Sequence, residues 1–101
     1  MDEPRCVNKM KALILGIDQE IKSAPRGPIS RVREHVGLFI PLKDCEASDF
    51  KDSVKRSIYF QQIDEMPNYD IAIIANGNVE VGISYYRQEK MVDEVYVMIR
   101  K

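Results

Sequence analysis

Residues 69–86 read YDIAIIANGNVEVGISYY, two apolar runs on either side of Asn76, Gly77 and Asn78. Strand-forming residues broken by an Asn-Gly pair predict a β-hairpin, with strands over 70–75 and 79–86. Two registers compete. If Asn76 and Gly77 alone form the loop, Ala75 faces Asn78, and Ile71 and Ile73 share a face with Glu80, Gly82 and Ser84. If the loop is Asn76, Gly77 and Asn78, Ala75 faces Val79, and Ile71, Ile73, Val79, Val81, Ile83 and Tyr85 make one apolar face. The second segregates apolar from polar side chains better and is the expected register. Tyr85 and Tyr86 are adjacent in a strand, so one must point away from that face, and this register makes it Tyr86.

Working outward, Val95, Val97 and Ile99 alternate with Tyr96, Met98 and Arg100, which adds a strand over 92–100 and completes an antiparallel meander. Upstream the apolar period changes from 2 to about 3.6. Val7, Met10, Leu13, Ile14, Ile17 and Ile21 form one face of a helix over 6–23, ended by Pro25 and Gly27. Ile29, Val32 and Val36 at helical spacing, with Ser30 as N-cap and Gly37 as C-cap, predict a short helix over 30–36. Gly37 to Leu42 is expected to be extended, with Pro41 confining it to an edge. Ser48 or Asp49 caps a third helix with a buried stripe of Phe50, Val54 and Ile58; residues 54–63 also have strand content, and a helix that ends early with a strand beginning near Ile58 is the alternative. The expected fold class is α+β: two or three N-terminal helices on one face of a C-terminal antiparallel meander of three to four strands.

A chain of 101 residues, 45% hydrophobic and 31% charged, has the size and balance of one globular domain, folding alone or as a small oligomer such as a homodimer. Its longest apolar stretch, Ala12 to Ile17, is too short to cross a bilayer, and Met1 to Arg5 lacks the pattern of a signal peptide, so a cytoplasmic location and no membrane partner are expected. Cys6 and Cys45 have no CxxC spacing, and two reduced thiols are expected, although a single bridge remains open. The net charge of −1 is unevenly placed. Residues 1–63 hold eleven Lys or Arg against nine Asp or Glu, and 64–101 hold four against seven.

Catalytic and cofactor chemistry finds little support. His35, the one histidine, has no nucleophile signature beside it. The five glycines stand singly, so no phosphate-binding loop is present and no cofactor is expected. Asp70 in one strand and Glu80 in the next resemble the acid pair of PD-(D/E)xK nucleases, in which a lysine follows the second acid by two residues. Gly82 holds that position here, and the expected register leaves the two carboxylates roughly 13 Å apart along the strand, too far for one metal. No metal site and no enzyme activity are expected.

The order helix, Pro-Arg-Gly-Pro break, short helix, third helix and hairpin resembles a winged helix-turn-helix across residues 7–86. That resemblance implies a regulatory protein that binds DNA, with Arg26, Arg31, Arg33, Lys51, Lys55 and Arg56 supplying phosphate and groove contacts. The alternative from the residues is a protein-binding module, such as an inhibitor, immunity-type or accessory protein, docking through the acidic sheet half with Tyr86, Tyr96 and Glu80. Tyrosine suits an interface because it buries a large area and keeps a polar tip.

Overall fold

A computed structural model describes residues 5–23 and 32–99, with backbone alone over 32–38. These residues form two helices and one five-stranded antiparallel sheet, with elements in the order α1 (Arg5–Ile21), β1 (Val32–Pro41), α2 (Ala47–Val54), β2 (Phe60–Glu65), β3 (Tyr69–Asn76), β4 (Val79–Tyr86) and β5 (Met91–Ile99). Strands β2 to β5 are the expected meander; β1 adds beside β5, giving the order β1-β5-β4-β3-β2.

Helix α1 buries Cys6, Val7, Met10, Ile14 and Ile21, with Leu13 and Ile17 partly covered. This is the apolar stripe its 3.6-residue period specifies. Both helices pack on the face of the sheet that carries Ala72, Ile74, Val79, Val81, Ile83, Tyr85, Val92 and Val95. At the centre of that layer, Phe50 of α2 stacks on Tyr85 with ring centroids 4.8 Å apart.

Three local expectations are corrected. Residues 32–41 are strand β1, not part of a helix over 30–36, and pair with β5 from Val32 opposite Ile99 to Pro41 opposite Met91. The Val32–Val36 spacing of four fits a helical turn and two strand repeats alike, and the open backbone of β5 decides in favour of the strand. Ser30 and Ile29 lie outside the described residues. With a strand in that place, the three-helix run behind the winged-helix resemblance is absent among the described residues. Helix α2 is capped by Glu46, whose backbone N–H donates to the Asp49 carboxylate at 2.8 Å, rather than by Ser48 or Asp49. Ile58, expected in its buried stripe, lies past the helix end and is 79% exposed.

The hairpin register is also corrected. Asn76 pairs with Val79 and Ala75 with Glu80, leaving Gly77 and Asn78 as the loop. Gly77 takes φ 58°, and positive φ at the first loop position is the type II′ arrangement that suits a twisted hairpin. Asn76 stays in the strand because its side-chain amide donates to the Ile21 carbonyl at 2.8 Å, satisfying an acceptor that the end of α1 leaves open. The helix-facing side of β3 therefore carries Asp70, Ala72 and Ile74. Ile71 and Ile73 fall on the opposite face with Glu80, Gly82 and Ser84.

Cys6 and Cys45 form a disulfide, with Cα atoms 5.9 Å apart, instead of two thiols. Both are buried, and the bond ties the start of α1 to the loop before α2. Among the described residues no helix is long and apolar enough to cross a membrane.

Candidate functional site

Because both helices cover one side of the sheet, its other face carries no helix among the described residues. The register assigns that outer face. It holds Gln62 and Asp64 of β2, Tyr69, Ile71, Ile73 and Ala75 of β3, Glu80, Gly82, Ser84 and Tyr86 of β4, and Glu94, Tyr96 and Met98 of β5. Its β3 members are all apolar or aromatic and remain half-buried rather than sealed.

Two aromatic arrangements shape this surface. The Tyr96 ring lies across Gly82, its cross-strand partner, and the Tyr96 hydroxyl donates to Glu80 at 3.1 Å. A Cβ on residue 82 would sit 2.0 Å from Tyr96 Cε1, so the ring keeps this position only over a glycine. Further along, Tyr69 and Tyr86 face each other across β3 and β4 with centroids 5.1 Å apart and planes tilted by 32°. Partial burial first, then the charges of Glu94, Asp93 and Glu89, push the Tyr86 phenol above its ordinary value.

The end of the sheet is braced by ion pairs. Asp70 is fully buried; its Oδ1 accepts from Arg87 at 2.5 Å, while its Oδ2 has no hydrogen-bond partner. Arg87 also donates to the Met66 and Pro67 carbonyls at 2.5 and 2.6 Å, so one guanidinium fastens the β2–β3 turn to β4. Lys51 of α2 pairs with Glu65 of β2, and Lys90 with Glu46 at 3.3 Å.

The three residues expected at a protein interface, Tyr86, Tyr96 and Glu80, share the outer face, with Tyr96 bonded to Glu80 and Tyr86 at the other end of β4. Tyr86 points away from the helices as expected, although the register that led there was wrong. The cations expected to meet DNA are not gathered in this way. Arg26 and Arg31 lie outside the described residues. Arg33 is in edge strand β1, opposite Met98. Lys51, Lys55 and Arg56 sit on α2 and just beyond it, with Lys51 tied to Glu65 on the other edge strand. Five strands separate those edges by about 19 Å.

Asp70 and Glu80 are on opposite faces, so the nuclease-like acid pair does not form. Among the described residues no group of three or more His, Cys, Asp or Glu is placed to hold a metal ion. Sequence reasoning missed Tyr69, Ile71 and Ile73 as surface residues. The signal was present in the unbroken apolar run Ile71 to Ala75, which in a strand supplies both faces at once. Comparison with protein families, curated proteins and solved structures finds no match to this chain.

Proposed function

We propose that this chain is a protein-binding accessory module, of the inhibitor or immunity type, that docks through the outer face of its sheet. The observation that carries this reading is the outer face, which no described helix covers and on which Tyr69, Ile71, Ile73, Tyr86 and Tyr96 lie. Apolar and aromatic residues left half-buried together on a sheet face suit an interaction surface, because a partner can bury what remains of them. Five strands of about eight residues present a face of roughly 500 Å², the same order as the roughly 800 Å² a partner buries in a standard interface.

A DNA-binding role for Arg26, Arg31, Arg33, Lys51, Lys55 and Arg56 has weaker support, because the described members of that set lie at opposite edges of the sheet.

The test compares capture of partners from native lysate by the wild-type protein and by Ile73→Lys, with circular dichroism to confirm that the variant folds. A partner held by the first and lost by the folded second supports the reading; identical capture by both defeats it. A titration with mixed-sequence duplex at two salt concentrations accompanies it. Tight binding that weakens steeply with salt and survives Ile73→Lys would instead favour DNA.

A further inference from the structure

The two edges of the sheet are built differently. Strand β1 breaks its register between Gly37 and Ile40, holds Phe39 at φ 49° and ends in Pro41. A bulge and a proline at an edge hinder the addition of another strand. Strand β2 pairs regularly with β3 from Gln62 to Glu65, and over those residues its outer edge has neither bulge nor proline. The Met66 N–H donates to the Tyr69 carbonyl at 2.8 Å, which fixes the alternation of this antiparallel ladder. Gln62 and Asp64 therefore bond to β3, and the N–H and C=O groups of Ile63 and Glu65 point to the open edge. Among the described residues no other backbone group bonds to them. Beside the edge, a cleft of about 410 Å³ is lined by Lys51, Lys55, Phe60, Gln62, Ile63 and Glu65. Lys51 is tied to Glu65, whereas Lys55, one helical turn on, has no ion pair among the described residues.

We propose that this edge receives the same edge of a second copy of the chain, the two β2 strands running antiparallel about a twofold axis at Ile63. The Ile63 N–H of each copy then donates to the Ile63 carbonyl of the other. On the outer face, Gln62 of each copy stands opposite Asp64 of the other. Gln62 already donates to Asp64 within its own strand at 2.9 Å, so amide and carboxylate suit each other there. On the helix side, Glu65 of each copy arrives two residues beyond the axis, at the Phe60 end of the other's cleft, where Lys55 offers its charge. Moving the axis by one residue would set Asp64 against Asp64, so charge selects the Ile63 register. A twofold pair is closed, because each copy uses the same edge and the β1 edges are guarded. This association is separate from the docking reading and leaves the outer face open.

Sedimentation equilibrium of the full chain tests this. The weight-average mass should rise from 11.7 kDa towards twice that value over roughly 1 µM to 1 mM protein. Ile63→Pro removes an N–H that β3 does not use and should abolish the rise. Gln62→Glu sets like charges opposite each other twice per dimer and should weaken association about tenfold, whereas Gln62→Lys should strengthen it. Circular dichroism checks the fold of each variant; should Ile63→Pro unfold, the opposite signs of the two Gln62 variants decide. Ile63→Cys introduces the chain's one free thiol, which oxidation should join to its twin across the axis. Asp64→Cys should crosslink more slowly, since its twin lies two residues along the strand. A mass that stays at 11.7 kDa, a dimer indifferent to Gln62→Glu, or Asp64→Cys crosslinking as fast as Ile63→Cys overturns the inference. A dimer lost in folded Ile73→Lys also overturns it, because that residue lies on the outer face and not at the edge.

Discussion

The Tyr96 ring lies flat over Gly82, filling the space where a Cβ would come within 2.0 Å of Tyr96 Cε1. The Tyr96 hydroxyl donates to Glu80 from this position. Gly82→Ala should therefore displace the ring and destabilise the protein by about 1 kcal/mol, the low end of overpacking because a side-chain tip can yield. In a Tyr96→Ala background the same change should be neutral or stabilising. Urea unfolding of the four proteins in a double-mutant cycle checks this; additive effects would mean that the ring does not rest on residue 82.

Asp70 and Arg87 make a second testable pair. Removing the guanidinium with Arg87→Leu leaves a fully buried carboxylate without its cation and releases the Met66 and Pro67 carbonyls. Because the Arg87 side chain is 34% exposed, the loss should fall near the low end for broken buried pairs, about 3 kcal/mol. The double variant Asp70→Leu with Arg87→Leu should recover much of it, since no charge is then stranded. Denaturant midpoints at constant m-value provide the measurement, and a single variant as stable as wild type would contradict the pairing.

Lys51 and Glu65 give a pH signature. Their hydrogen bond, and then the lysine charge, hold the Glu65 carboxyl below its ordinary 4.5. The same hydrogen bond raises Lys51 above 10.5, against a smaller opposing effect of burial. A depressed carboxyl contributes stability above its unfolded pKa that is lost as pH falls through the folded value; a raised lysine contributes stability below its unfolded pKa that is lost as pH rises through the folded one. Wild type should thus exceed Glu65→Gln in stability at neutral pH, by a margin that screening keeps small, and the curves should converge below pH 4.5 and above 10.5. Curves that stay parallel at the acid end would assign the effect to something other than this pair.

The disulfide should be strongly stabilising and hard to reach. It closes a loop over a sequence separation of 39, for which the chain-entropy estimate is about 4 kcal/mol. Cys6→Ala with Cys45→Ala should lower stability by about that amount or less. In native buffer, reductant should act slowly because both cysteines are sealed from solvent, and reduction should accelerate with denaturant. Rapid native-state reduction followed by thiol labelling would show that the bond is exposed.

The sequence by itself determined the elements whose periodicity was unambiguous. The 3.6-residue stripe from Val7 to Ile21 could only be an amphipathic helix, and the alternation over 79–86 and 92–99 could only be half-covered strands. It also placed Tyr86 on the face opposite Tyr85, because adjacent strand residues must diverge whatever the register. Tertiary structure decided what local pattern left degenerate. The Val32–Val36 spacing suits helix and strand equally, and pairing with β5 chose the strand. Segregation alone favoured the three-residue loop, but the Asn76 amide is needed at the end of α1, and Tyr96 shelters Gly82 on the far face. Those two long-range contacts shift the register by one and send Ile71 and Ile73 outward. The apolar character of the outer face therefore exists because contacts distant in sequence outweighed the local pattern: a strand with apolar residues on both sides takes its inner face from what packs against it.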